Sequence, residues 1–220
     1  LLWPAHGTGS ACGSNISDRK WTTIGLEKKL NHQLNYESRD KFIEEVGEMR
    51  DKPNYFKKME KMNLEDNSDS KLPIVKSLNV KEFLKKNKNE KNIILDTRKE
   101  TGFASSNIKD SFFIWEERLA KFAGWFLPLN SSILLVSDNK YPQEEIEILY
   151  RMGFDKIIGY LKGGMLNWHT FGKNSKSTNI VNVNKTCNIL DNKDGFFLLD
   201  VRNKKELEES GRIEGAINIP

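Results

Sequence analysis

Between Asn92 and Trp168 the sequence sets out three short apolar runs at helix-length intervals, and no other stretch restricts the fold as much. Ile93-Ile94-Leu95 ends in Asp96-Thr97-Arg98, and Ile133-Leu134-Leu135-Val136 ends in Ser137-Asp138. A third run, Lys156-Ile157-Ile158-Gly159-Tyr160-Leu161, leads to Gly163-Gly164 and Trp168. Runs of Ile, Leu and Val without polar alternation fit strands buried on both faces, as in a parallel sheet covered by helices. The segment from Gln143 to Arg151 fits one such helix, with Ile146, Leu149 and Tyr150 at helical spacing and Gly153 placed to stop it. The fold class expected from these runs is α/β.

Composition narrows the setting. The 220 residues suit one large or two modest domains, and 30% charged with 37% hydrophobic residues suits a soluble chain. No apolar run approaches the roughly 20 residues of a membrane span, and no secretion leader is visible at the start. The net charge of +4 comes from scattered Lys without an Arg-rich face, so neither nucleic acid nor membrane is an expected partner. Two distant cysteines, Cys12 and Cys187, argue against a disulfide scaffold and for a reducing cytoplasm. Cys12 has no neighbouring His or Arg to activate it and reads as a packed thiol. Leu1-Leu2-Trp3-Pro4 looks like a strand already under way, and Ile219-Pro220 falls inside a motif, so a piece of a longer protein is expected.

Residues 38–63 read as two charged helices, with Phe42, Ile43 and Val46 on one face and Phe56, Met59 and Met62 on another. The polar stretch 64–72 is the expected linker, closing a first segment 1–63 and opening a domain at 73–172. The remainder, 173–220, repeats the start of that domain: Phe197-Leu198-Leu199-Asp200-Val201-Arg202 matches Ile93-Ile94-Leu95-Asp96-Thr97-Arg98. Asp200, Arg202 and Glu206 are expected to form a buried ion-pair cluster that fixes the strand exit.

The segment 92–168 resembles the rhodanese domain family. Its stations are Asp96-Thr97-Arg98, Gly102-Phe103, Ser106-Asn107-Ile108, Asp110-Ser111, and the closing Leu161, Gly163-Gly164 and Trp168. The hydrophobic stations are kept while most polar ones differ. In the repeat, Glu206 and Gly215-Ala216 stand nearer the family pattern. The family carries its nucleophilic cysteine at the end of the central strand, in a loop Cys-x-x-Gly-x-Arg that cradles a thiolate and then a persulfide. Here Ser137 occupies that place, followed by Asp138-Asn139-Lys140-Tyr141-Pro142, with no thiol, no glycine, and one N–H removed by Pro142. The resemblance therefore implies a rhodanese-like domain without transferase activity, followed by the start of a second rhodanese domain.

Residues 1–30, with Pro4-Ala5-His6, the loop Gly7-Thr8-Gly9-Ser10-Ala11-Cys12-Gly13 and Thr23-Ile24-Gly25-Leu26-Glu27-Lys28, resemble the last third of a metallo-β-lactamase fold. The closest likeness is to its persulfide dioxygenase and glyoxalase II branch. Pro53-Asn54-Tyr55-Phe56 and Met59 extend the likeness to proteins that fuse that αββα fold to rhodanese modules. His6 would stand at a second-metal position. One imidazole cannot hold a metal alone, and neither His32 nor His169 lies at ligand spacing, so no metal is expected on this piece.

The resemblance implies a non-haem Fe(II) persulfide dioxygenase joined to a sulfurtransferase, with Zn as the alternative metal. Small-molecule persulfide or thiosulfate is the implied substrate, and a homo-oligomer is left open as the assembly. A glyoxalase-II-like thioester hydrolase and a non-catalytic interaction module are the alternatives. By analogy with the 41 residues between Asp96 and Ser137, a second nucleophile is expected roughly 40 residues beyond Asp200.

Overall fold

The computed structural model describes residues 1–4, 17–46, 53–65, 71–89, 91–192, 195 and 197–220. They fall into two compact units, Leu1–Pro53 and Asn54–Pro220.

In the first unit Leu2 and Thr22 form an antiparallel bridge with reciprocal N–H···O bonds of 2.8 and 2.9 Å. Helix α1 (Ile24–Leu30) starts directly after it, because the Thr23 hydroxyl accepts the Leu26 N–H and so satisfies one free donor of the first turn. Glu27 knots the unit together: its carboxyl accepts from the Thr22 hydroxyl at 2.7 Å and from the Asn31 amide at 3.2 Å. Helix α2 (Arg39–Val46) follows, with Phe42 and Ile43 both exposed; the Val46 side chain expected beside them lies outside the described residues.

The second unit opens with helix α3 (Tyr55–Leu64). Its elements then run β1 (Ser77–Leu78), α4 (Val80–Asn87), β2 (Asn92–Asp96), α5 (Glu100–Ser105) and β3 (Phe112–Phe113). After these come α6 (Leu119–Phe126), β4 (Ser132–Val136), α7 (Gln143–Arg151), β5 (Ile157–Leu161) and α8 (Gly164–Thr170). The five strands form one sheet in the order β1-β5-β4-β2-β3, every pair parallel. The α/β expectation therefore holds, and the helix at Gln143–Arg151 has the expected ends, with Gly153 at φ +82° terminating it.

Strand period sorts the core into two layers. Leu95, Ile133, Leu135 and Ile157 face α6 and α7 through Leu119, Ala123, Ile146 and Leu149. Ile94, Leu134, Val136 and Leu161 face α4 and α8 through Phe83, Met165 and Trp168. Ile133 to Val136 are all fully buried, because β4 is central and covered on both faces. That is why its run reads as continuous rather than alternating.

The unit begins at Asn54, earlier than the linker at 64–72 would place it. Helix α3 packs through Tyr55 against the core, close enough to Gly124 that a side chain there would run into the Tyr55 ring. Lys58 donates to the Gly153 carbonyl and pairs with Asp155. Tyr55, not the expected Phe56, is the inward aromatic of α3; residues 66–70 of the linker lie outside the described residues.

Beyond α8 come α9 (Val183–Asn192), β6 (Leu199–Asp200), α10 (Lys204–Ser210) and β7 (Ile217–Asn218). Strand β6 pairs β7 in parallel, Leu199 opposite Ile217, as β2 pairs β3 with Leu95 opposite Phe112. The order helix, strand, helix, strand repeats α4-β2-α5-β3, so the sequence repeat is also a repeat of structure.

Candidate functional site

Strand β2 leads through α5 to β3 on one side, while β4 leads through α7 to β5 on the other, so the connections diverge between the carboxyl ends of β2 and β4. Such switch points leave a crevice where open parallel sheets place their sites. Here the crevice is small, about 170 Å³, lined by Thr97, Arg98, Lys99, Trp115, Glu116, Glu117 and Ser137 to Asn139. That is below the range of a small-molecule pocket, roughly 300–1,000 Å³.

The wall on the β2 side is an ion pair. Arg98 Nε and Nη2 donate to the two Asp96 oxygens at 2.9 and 2.7 Å, and the Arg98 backbone N–H adds a third bond at 3.1 Å. Nη2 also donates to the Ser106 carbonyl at 2.6 Å, fixing the turn after α5. Asp96 and Arg98 are both buried. Burial is the largest influence on Asp96 and pushes its carboxyl up from the ordinary value, against the opposing pull of Arg98.

Ser137 stands at the end of β4 and is 6% exposed. Its hydroxyl donates to Glu145 Oε1 at 2.6 Å and accepts the Asn139 N–H at 3.0 Å, so both capacities of the oxygen are engaged. Glu145 is fully buried. Its Oε1 also lies 3.3 Å from the Thr97 hydroxyl and accepts from the Asn139 amide at 3.2 Å, while Oε2 has no partner. The same Asn139 amide reaches Glu116 Oε2 at 3.2 Å. Glu116 is pushed up by partial desolvation first and by the Glu145 charge second.

Sequence reasoning placed Ser137 correctly at the strand end but missed Glu145, Thr97 and Asn139. A signal for Glu145 was present: it lies one residue before Ile146 and one turn before Leu149, so a charged residue stands on the buried stripe of α7. His6 and Cys12 lie outside the described residues. Among the described residues no group of three or more His, Cys, Asp or Glu side chains converges as a metal site, and no helix is long and apolar enough to cross a membrane. Cys187 is an exposed free thiol.

In the repeat, Arg202 clasps Asp200 with the same geometry, Nε and Nη2 at 3.0 and 2.7 Å, and Nη2 reaches the Gly211 carbonyl at 3.0 Å. The expected cluster is corrected in two respects. Glu206 turns away to form a capping box, accepting the Asn203 N–H at 2.9 Å. The pair is also not buried: the Arg202 side chain is 35% exposed, because β6 has only β7 beside it among the described residues. Asp200 accordingly moves the other way from Asp96, lowered by the hydrogen bond from the Arg202 side chain.

Carboxyl-carbon NMR titration checks this contrast: Asp96 is expected to titrate above 3.8 and Asp200 below it. Two midpoints on the same side of that value would remove burial as the cause. The linked stability terms have opposite signs. The Asp96 contribution is present below its unfolded-state pKa and lost as pH rises through the folded one; the Asp200 contribution is present above its unfolded-state pKa and lost as pH falls through the folded one.

The five-stranded parallel sheet, its covering helices and the crevice at the β2/β4 switch point define a rhodanese-like fold. The family model described as rhodanese-like domain matches residues 79–171, which is the body from α4 to α8. A rhodanese-like domain from Anabaena sp. is 20% identical, with 42% of this chain and 98% of that one covered and a TM-score of 0.38. A rhodanese-related protein from Thermoplasma volcanium is 18% identical over 46% of this chain and 97% of that one, at a TM-score of 0.39. A metallo-β-lactamase from Staphylococcus aureus is 23% identical with a TM-score of 0.57, covering 73% of this chain; the chain spans 44% of the length of that protein. No curated protein matched the chain.

Proposed function

We propose that this chain is part of a protein joining a metallo-β-lactamase fold to rhodanese modules, and that its rhodanese-like domain does not itself transfer sulfur. The observation carrying the second half is Ser137, in the place of the family's thiol, with its hydroxyl engaged by Glu145 and by the Asn139 N–H. A serine oxygen cannot carry sulfane sulfur as a cysteine persulfide does, and here its proton is committed to Glu145 while one lone pair is taken by the Asn139 N–H. The domain acts instead as a spacer or interaction module between active ones. The likeness in fold to the Staphylococcus aureus metallo-β-lactamase over 73% of the chain supports the first half.

In the intact protein the proposed activity is oxidation of a low-molecular-weight persulfide by a non-haem Fe(II) dioxygenase, coupled to thiosulfate or persulfide sulfurtransfer in the cytoplasm. Among the described residues no ligand set converges that would hold that metal, and the proposal places its ligands elsewhere in the intact protein. Thioester hydrolysis with Zn remains the alternative for the same fold branch. The repeat α9-β6-α10-β7 is the start of the transferase module, and self-association is proposed as the assembly.

The test is thiosulfate:cyanide sulfurtransferase activity of the chain as it stands. The expected rate equals the no-protein control, and Ser137→Cys alone is expected to leave it there. Thiocyanate formation above control that disappears on Ser137→Ala would overturn the inactive-domain reading.

A further inference from the structure

Glu145 carries a carboxyl group that no ion pair explains. It is fully buried at the first turn of α7, with the Ser137 hydroxyl and the Asn139 amide donating to one oxygen at 2.6 and 3.2 Å, and the Thr97 hydroxyl 3.3 Å from the same oxygen but shared with the Val136 carbonyl at 3.2 Å. Neutral donors gathered on one carboxyl oxygen, from the residue that follows β4 and from its loop, make a site that receives an anionic oxygen. A buried carboxyl group with an unpartnered second oxygen is expensive to keep unless its place is useful. We infer that the carboxyl end of β4 carries a small-oxyanion site that the protein fills with its own Glu145 side chain, which bars external sulfur oxyanions from the crevice.

This deepens the inactive-domain reading and rests on it: loss of the thiol removes the reaction, and Glu145 removes the binding. The two are separable. Restoring a thiol at position 137 would place it against the Glu145 carboxyl group rather than beside a vacant cradle. The side chain that must leave first is Glu145.

The experiment uses the whole chain with Glu145→Ala and with the less drastic Glu145→Ser, titrated with sodium formate and separately with sodium thiosulfate. Sodium chloride at equal ionic strength is the control. Binding is read from the unfolding midpoint and from amide shifts of Ser137 to Lys140. Formate is expected to raise the midpoint of either variant saturably, by about 2–4 °C at about five times its Kd, and to move those amides. Wild type and Glu145→Gln, whose amide oxygen keeps the same acceptor, are expected to respond only as they do to chloride. A variant that folds only with formate present supports the site equally. Folded variants without a saturable formate response, variants that fold neither with nor without formate, or saturable thiosulfate binding at these amides in wild type would each overturn it. Sulfurtransferase activity in wild type would instead sink the inactive-domain reading, so the two failures are distinguishable.

Discussion

Arg98→Met is expected to lower the unfolding free energy of the rhodanese-like domain by about 3–5 kcal/mol, because it leaves the Asp96 carboxyl buried without its partner. Asp96 is fully buried, and Arg98 supplies two of its side-chain bonds together with the 2.6 Å bond to the Ser106 carbonyl. The loss thus removes both a charge partner and the clamp on the turn after α5. Replacing both partners by apolar residues, Asp96→Leu with Arg98→Met, is expected to be less damaging than the single change, since no buried charge is stranded. Arg202→Met breaks a pair of the same geometry in the repeat, yet is expected to shift the urea midpoint far less, because that pair is partly open to solvent. Urea unfolding with an unchanged m value measures all three. An Arg98→Met loss within about 1 kcal/mol of zero would mean that water reaches Asp96.

Gly164→Ala is the second large effect, with an expected loss of about 2–5 kcal/mol. Gly164 opens α8 at φ +55°, a conformation costing an L side chain about 1–2 kcal/mol. A Cβ there would also stand 2.9 Å from the Ser137 carbonyl oxygen, and relieving such overpacking typically costs about 1–3 kcal/mol. Backbone at the end of β4 cannot yield as a flexible side chain would, so the amide signals of Ser137 and Asn139 should move as well. Gly172→Ala is the control: its φ is +72° but a Cβ there meets nothing within 4 Å, so only the conformational part, about 1–2 kcal/mol, is expected. Equal losses at the two glycines would mean that the approach of α8 to β4 is not tight.

The parallel sheet could be read from the sequence because unbroken Ile, Leu and Val runs such as Ile133 to Val136 have few ways to be buried on both faces, and helix-length gaps between them leave a covered parallel sheet as the simplest. The place of Ser137 followed from the same logic, since a strand's carboxyl end marks where its loop begins. The repeat was legible too, because matching local sequence builds matching local structure: Asp-x-Arg folds into the same clasp at Asp96 and at Asp200. What surrounds each clasp was not legible. Burial depends on whether a third strand lies alongside, as β4 does for β2, and that neighbour is some 40 residues away in sequence. Glu145 met Ser137 and Thr97 for the same kind of reason, since the rotation of α7 about its axis is set by Ile146 and Leu149 packing on the sheet. Helix α3 likewise joined the second unit through Tyr55 at Gly124 and Lys58 at Gly153 and Asp155, contacts that local composition does not encode. Local chemistry, then, was determined by the chain's own order; the dielectric and the donors around each polar group were decided by what tertiary packing brought beside it.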